Sequence, residues 1–381
     1  MNFRFVYVFI LLSCFGNIYC QKYDSIDVKK VEKSLISNPE KAYRLAIKIY
    51  DNSDLTDNFR IRLLFSLLNV SNQTQRFSEA IRYGTEGLDL AEKSNYTVSQ
   101  VKFLGTLGNI YQSLQANDKA KYYLNKAEDV LKKNKLPNSE QHIAGNILYL
   151  KGMNYAYTLD CDMALIYFDQ AISAFRPATD PLSKMNIKLA YINKANCLIG
   201  MNKLKEAEHY LLLSKINDSE FKTSSGIPRM YFEILNQSYD LGTAKILALR
   251  NNLKHSNEIL LSILELKDQT NISDTDTDIC FQLSQNFMKL KEMDKSQFYD
   301  SLYHQKMVER SNVQIEILNN LLVQDQKNAD QKIEQYNRKI VKWSIVSIMF
   351  SAVFSLFIAL TLRKIKKANS FLKIDLYSSD N

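Results

Sequence analysis

The sequence predicts an all-α protein: a solenoid of stacked helical hairpins, then a long juxtamembrane helix and one transmembrane helix. Three observations predict it. Small and large residues recur at fixed offsets along most of the chain. Only 10 Gly and 5 Pro occur in 381 residues, too few for a turn-rich β architecture. A run of twenty uncharged residues, Trp343 to Leu362, lies near the C-terminus.

Charged residues at 24% and hydrophobic residues at 46% fit a globular class, and the length suits two ordinary domains or one extended array. The formal charge is +8, from 49 Lys and Arg against 41 Asp and Glu. Setting aside Arg4 and the seven charged residues beyond Leu362 leaves 43 bases and 39 acids between 21 and 342. That balance, without a basic cluster interleaved with aromatics, argues against a nucleic-acid partner.

The first element is a leader. "MNFRFVYVFILLSCFGNIYCQ" has a basic start at Arg4, an apolar run from Phe5 to Leu12, and small or polar residues at Ser13, Gly16 and Asn17. The run is too short to span a bilayer and reads as a signal peptide over 1–20, cleaved before Gln21. Tyr19 stands where a lipoprotein signal has a small residue, which argues against Cys20 as a lipid acceptor.

The second element is the array, 21–304. With Ala120 as reference, Gly108 lies twelve residues before, Tyr111 nine before and Ala127 seven after. The same offsets from Ala164 give Gly152, Tyr155 and Ala171, with Phe168 between. From Ala207 they give Ala195, Leu198 and Ser214, and from Ala80 they give Leu68, Ser71 and Gly87. Weaker copies centre on Ala42, Ser256 and Ser296. Each unit reads as two antiparallel helices, with small residues where they cross closely and large ones filling the layer. One hairpin cannot bury its apolar face alone, so copies stack. The stretches L107-G108-x2-Y111…A120…L124…A127 and K151-G152-x2-Y155…A164…F168…A171 resemble the tetratricopeptide repeat. The resemblance covers roughly 23–310 and lacks the consensus Trp.

A polar segment without Gly or Pro follows at 305–342 and reads as a long helix to the membrane. Ile315, Leu318, Leu322, Ala329 and Tyr336 form a thin heptad-compatible stripe, interrupted at Asp325 and Lys332, so a homodimer through a coiled coil stays open. The apolar run 343–362 covers about 30 Å as a helix, the hydrocarbon thickness. Bases flank it on both sides, and the leader sets the orientation: array outside the cytoplasm, tail 363–381 inside, in the inner membrane. This order of parts resembles the exported sensor half of bacterial tetratricopeptide histidine kinases and membrane-bound helix-turn-helix regulators. The tail is too short for their output domain and has no His or Gly.

No catalytic constellation is present. His142, His209, His255 and His304 are scattered, and there is no GxGxxG, P-loop, HExxH or GxSxG. Asp274, Asp276 and Asp278 in "NISDTDTDIC" read as a solvated linker, since the Gly and closing Glu of a calcium loop are missing. Beyond the leader, Cys161, Cys197 and Cys280 form no CxxC pair, and pairing of Cys161 with Cys197 is left open. An enzyme, a metal and a cofactor are therefore not expected.

Binding is the expected role. The inward position eleven residues before each centre holds Asn69, Asn109, Met153 and Asn196, with Gln285 in the last unit. The tetratricopeptide resemblance implies that asparagines there bond the backbone of an extended peptide in a concave groove. Tyr149 and Tyr157, four residues either side of Met153, would line an apolar pocket. The bland alternative is a merely polar, solvent-facing position. The sequence thus points to a non-catalytic, membrane-anchored receptor or adaptor in signal transduction that binds a peptide or protein. An envelope assembly scaffold, or a sensor kinase or regulator lacking its output domain, are the rivals.

Overall fold

The computed structural model describes residues 25–378 except 53–54, 138–139, 217–226, 228 and 268–275. The expected signal peptide lies outside the described residues. Among the described residues there are fourteen α-helices and no strand. Pairs of successive helices form seven hairpins. The first three are α1 (Ser25–Ser37) with α2 (Pro39–Asn52), α3 (Asp57–Gln73) with α4 (Phe77–Lys93), and α5 (Thr97–Ser113) with α6 (Asn117–Lys133). The next three are α7 (Gln141–Tyr157) with α8 (Cys161–Phe175), α9 (Pro181–Gly200) with α10 (Leu204–Ser214), and α11 (Arg229–Leu249) with α12 (Leu253–Lys267). The seventh joins α13 (Asp276–Lys289) to the start of α14 (Met293–Ser378).

All seven centres read from the sequence fall on the second helix of a hairpin. Ala42, Ala80, Ala120, Ala164, Ala207 and Ser256 are fully buried, and Ser296 is nearly so. The partner residues show why nothing larger fits. A Cβ built on Gly108 would stand 2.8 Å from the Leu124 side chain, and one on Gly152 would stand 2.7 Å from the Phe168 ring. In these two hairpins glycine lets the helices approach while the large residue of the opposite helix fills the layer between them. The two serine centres keep the same crossing. Ser256 Oγ donates to the Ala244 carbonyl at 2.8 Å and Ser296 Oγ to the Ser284 carbonyl at 3.0 Å, each twelve residues back. The buried hydroxyl is satisfied, so the degenerate units fold like the others.

Six turns inside the hairpins repeat one geometry. Gln75, Gln115, Leu159, Asn202, Asn251 and Lys291 have φ between 55° and 63°, each five residues before a centre. The next N–H in each turn reaches back to the carbonyl nine residues before the centre, as in Arg76 to Ser71 at 2.7 Å and Lys203 to Leu198 at 2.8 Å. This is the Schellman closure of a helix C-terminus. None of the six is Gly, so the turns carry no breaker signal.

First and second helices are buried differently. On α5, Phe103, Leu104, Leu107, Ile110 and Tyr111 are buried around much of the helix. On α6 only Ala120, Leu124 and Ala127 are. First helices touch their own partner, the second helix of the preceding hairpin and the first helices of neighbouring hairpins, whereas second helices show one face to solvent. A recurrent aromatic stack adds to three of the hairpins: Tyr111 on Tyr123, Tyr155 on Tyr167 and Phe287 on Tyr299, with ring centroids 5.4, 5.3 and 5.7 Å apart.

Contacts divide the chain into a unit ending at Ile317 and one beginning at Leu318. The second unit is the remainder of α14, which runs without a break through the expected juxtamembrane segment and the apolar run. Its stretch Ala329–Lys366 is long and apolar enough to cross a membrane. One local reading changes. Asp276 and Asp278 belong to the first turn of α13, not to a solvated linker, where acidic side chains favour the helix N-terminus. They pair with Lys306 at 3.3 Å and Lys245 at 2.7 Å. Asp274 lies outside the described residues.

Two substitutions test this packing through urea unfolding followed by helical circular dichroism. Gly152→Val forces the crossing against Phe168 and is expected to cost about 1–3 kcal/mol. Leu159→Gly, at an 89% exposed side chain with φ 62°, is expected to gain about 0.5–1 kcal/mol by relieving a left-handed non-glycine residue. An unchanged midpoint in the first variant would refute the close crossing.

Candidate functional site

The repeated turns place polar side chains at the ends of successive first helices, and a cleft of about 880 Å³ opens there. It lies wholly within the unit ending at Ile317. The second hairpin contributes Asn72, Gln73, Gln75 and Phe77, from the end of α3, its turn and the start of α4. The third contributes Asn109, Gln112, Ser113, Gln115 and Asn117 from equivalent places. From α7 come Tyr149, Leu150, Met153 and Tyr157. Asp276 and Thr277 of α13 and Lys306, Glu309, Arg310, Gln314 and Ile317 of α14 complete the lining.

Hydrogen bonds hold these pieces in register. Gln112 Nε2 donates to the Leu150 carbonyl at 3.3 Å, and Asn154 Nδ2 to the Asn117 carbonyl at 3.3 Å, tying the third hairpin to the fourth. Gln314 Nε2 reaches the Ser113 carbonyl at 3.5 Å, the outer limit of a hydrogen bond, from the far side of the cleft. The Tyr149 hydroxyl accepts from Asn193 Nδ2 at 3.0 Å, and its ring lies 5.9 Å from that of Phe168. Burial pushes the Tyr149 phenol well up, so it stays neutral. Asp276 and Lys306 neutralise each other, while Arg310 makes no hydrogen bond or ion pair among the described residues.

Beneath this lining, α7 is anchored by a buried ion pair. Lys151, only 5% exposed at its side chain, bonds Glu128 of α6 at 2.5 Å and stands 4.6 Å from the centre of the Tyr167 ring. Burial would raise the Glu128 carboxyl, but hydrogen bonds from Lys151 and Lys132 overcome it and hold the carboxyl below its ordinary range. Burial would lower the Lys151 ammonium, and Glu128 and Tyr167 reverse that as well.

Four of the six residues singled out in the sequence meet in the cleft: Asn109, Tyr149, Met153 and Tyr157. The other two do not. Asn69 is half-buried and its Nδ2 donates to the Phe65 carbonyl of its own helix at 2.7 Å, while Asn196 is exposed on α9 away from the cleft. Gln285 likewise lies outside it. Of the inward positions expected to carry carboxamides, only that of Asn109 lines the cleft. The carboxamides that do line the cleft sit nearer the turns. Asn72 and Gln112 lie eight residues before their centres, and Gln75 and Gln115 five before. That recurrence was readable at the 40-residue spacing between Ala80 and Ala120. The contribution of α14 had no such signal, because it depends on a contact across more than 150 residues of chain. Among the described residues no group of His, Cys, Asp and Glu is arranged to hold a metal ion.

No family model matches the sequence, and no curated protein matches it. Solved structures do resemble it in fold. NprR in complex with its cognate peptide NprX is 14% identical, over 78% of this chain and 82% of that chain, with a TM-score of 0.54. Aspartyl phosphate phosphatase F from Bacillus subtilis is 13% identical, over 74% and 69%, with a TM-score of 0.52. A Rap protein complexed with Competence and Sporulation Factor is 13% identical, over 75% of each chain, with a TM-score of 0.51. The fold is thus that of tetratricopeptide-like helical repeat proteins.

The Lys151–Glu128 pair makes a pH-dependent prediction. A carboxyl lowered in the folded state adds stability above its unfolded pKa of about 4.3, and loses it as pH falls through the folded value. Glu128→Gln leaves Lys151 buried without its charge partner and should cost about 2–3 kcal/mol at neutral pH. The gap from the wild type should narrow as pH drops below about 4. Urea midpoints of both proteins across that range measure it, and a gap constant with pH would refute the assignment.

Proposed function

We propose that the chain is a membrane-anchored, non-catalytic receptor or adaptor whose repeat array holds a peptide or a segment of a protein in this cleft. The observation that carries the reading is the meeting of carboxamides from two successive hairpins with Tyr149, Met153 and Tyr157 of α7. A carboxamide both donates and accepts, as a peptide unit does, so Asn72 and Asn109 suit a backbone irrespective of its side chains. The aromatic and methionine side chains suit one apolar residue of the ligand. The volume lies within the range of about 300–1,000 Å³ typical of ligand sites. NprR, which has this fold, was solved with a cognate peptide, and that supports a peptide as the ligand.

The membrane part of the proposal rests on the apolar stretch of α14, and the inside–outside orientation on the N-terminal leader. Arg310 and Gln314 line the cleft from the same helix that carries this stretch, so a ligand touches the element that enters the membrane. That contact favours a receptor over a scaffold in which the span only anchors. The part order of an exported sensor half accords with it.

Peptides selected from a displayed random library against the full chain in detergent, then labelled for fluorescence anisotropy, test the site. Asn109→Ala and Met153→Ala are each expected to weaken binding about tenfold, equivalent to about 1.4 kcal/mol. Asn196→Ala should leave binding unchanged. Equal losses in all three variants, or none in the first two, would remove the cleft from the proposal. Alkaline carbonate washing of cell membranes tests the anchor: the chain is expected in the pellet, and its release would overturn the anchor.

A further inference from the structure

Cys161 opens α8, and Cys197 lies on α9, the helix packed against α8. Cys197 is buried in an apolar cluster with Ala164 and Phe168, and half-buried Cys161 packs against the same cluster. Both are free thiols. Burial first, and then its neighbour Cys161, push the Cys197 thiol far above its ordinary range. The third thiol, Cys280, is buried on α13.

We propose that Cys161 and Cys197 are an oxidisable pair that closes into a disulfide joining the fourth and fifth hairpins. Both side chains pack on the one cluster where α8 meets α9, so the bond closes across an existing contact without unfolding either helix. The half-exposed Cys161 reacts first. Its thiolate attacks a disulfide oxidant, forming a mixed disulfide and expelling one thiolate. Cys197 then gives up its proton and attacks the Cys161 sulfur, expelling the second thiolate. Two protein thiols lose two electrons and two protons in all, and the oxidant is reduced to two thiols. Tyr149 and Met153 pack on the same cluster, so the bond fixes the layer directly beneath two residues of the cleft. A chain exported by its leader would meet an oxidising compartment in which such bonds persist.

The test equilibrates the full chain in detergent with oxidised and reduced glutathione. The mixture is then quenched with acid, unfolded, alkylated with N-ethylmaleimide and analysed by peptide mass. Oxidation is expected to remove two labels and to join the peptides carrying Cys161 and Cys197, with Cys280 still alkylated. Cys161→Ser, which leaves the buried thiols in place, should abolish the joined species, and Cys280→Ser should retain it. Alkylation of both Cys161 and Cys197 under oxidising conditions, a persistent glutathione adduct on Cys161, or a bond to Cys280 would each overturn the proposal.

Discussion

The architecture depends on a small residue buried at the centre of each of the seven hairpins, where the second helix crosses its partner. At Gly108 and Gly152 the space for a Cβ is already filled by Leu124 and Phe168. At the centres, fully buried alanines or serines hold the second helix in the same approach. Fixing that approach fixes the depth and register of each hairpin. A common turn with a left-handed residue then closes six of the seven hairpins alike. Once the hairpins match, their first helices can stack on one another, and the apolar surface that no single hairpin buries becomes the shared core.

The cleft is a consequence of this regularity. Equal hairpins bring equivalent positions at the ends of their first helices side by side, so Asn72 with Gln112 and Gln75 with Gln115 recur along one edge. The fourth hairpin breaks the polar pattern, because α7 presents Tyr149, Met153 and Tyr157 instead. The buried Lys151–Glu128 pair and the Gln112 and Asn154 bonds hold α7 in that place. A rigid scaffold with polar and apolar groups at fixed separation is what a binding site needs to keep its ordering cost low.

The sequence pattern located the helical core better than it located the cleft, for a physical reason. Core positions are constrained by sterics at every repeat, so the offsets of Gly108, Tyr111 and Ala127 reappear at Gly152, Tyr155 and Ala171. Lining positions are constrained only where a cleft forms. Asn69 and Asn196 match Asn109 by offset, yet one spends its amide on the Phe65 carbonyl and the other faces solvent on α9. Gln75 and Gln115 were visible as a recurrence but lay in turns without Gly, which conceal where a helix ends.

By itself the sequence determined the all-α class, the number and centres of the hairpins, and a C-terminal stretch apolar enough for a membrane. Each follows from local composition or from a constraint repeated along the chain. Only the tertiary structure decided which polar residues share a cleft, that α14 contributes Lys306, Arg310 and Gln314 to it, and that Cys161 and Cys197 lie together. Those facts depend on how residues far apart in sequence converge when the hairpins stack, and a one-dimensional period does not encode that convergence.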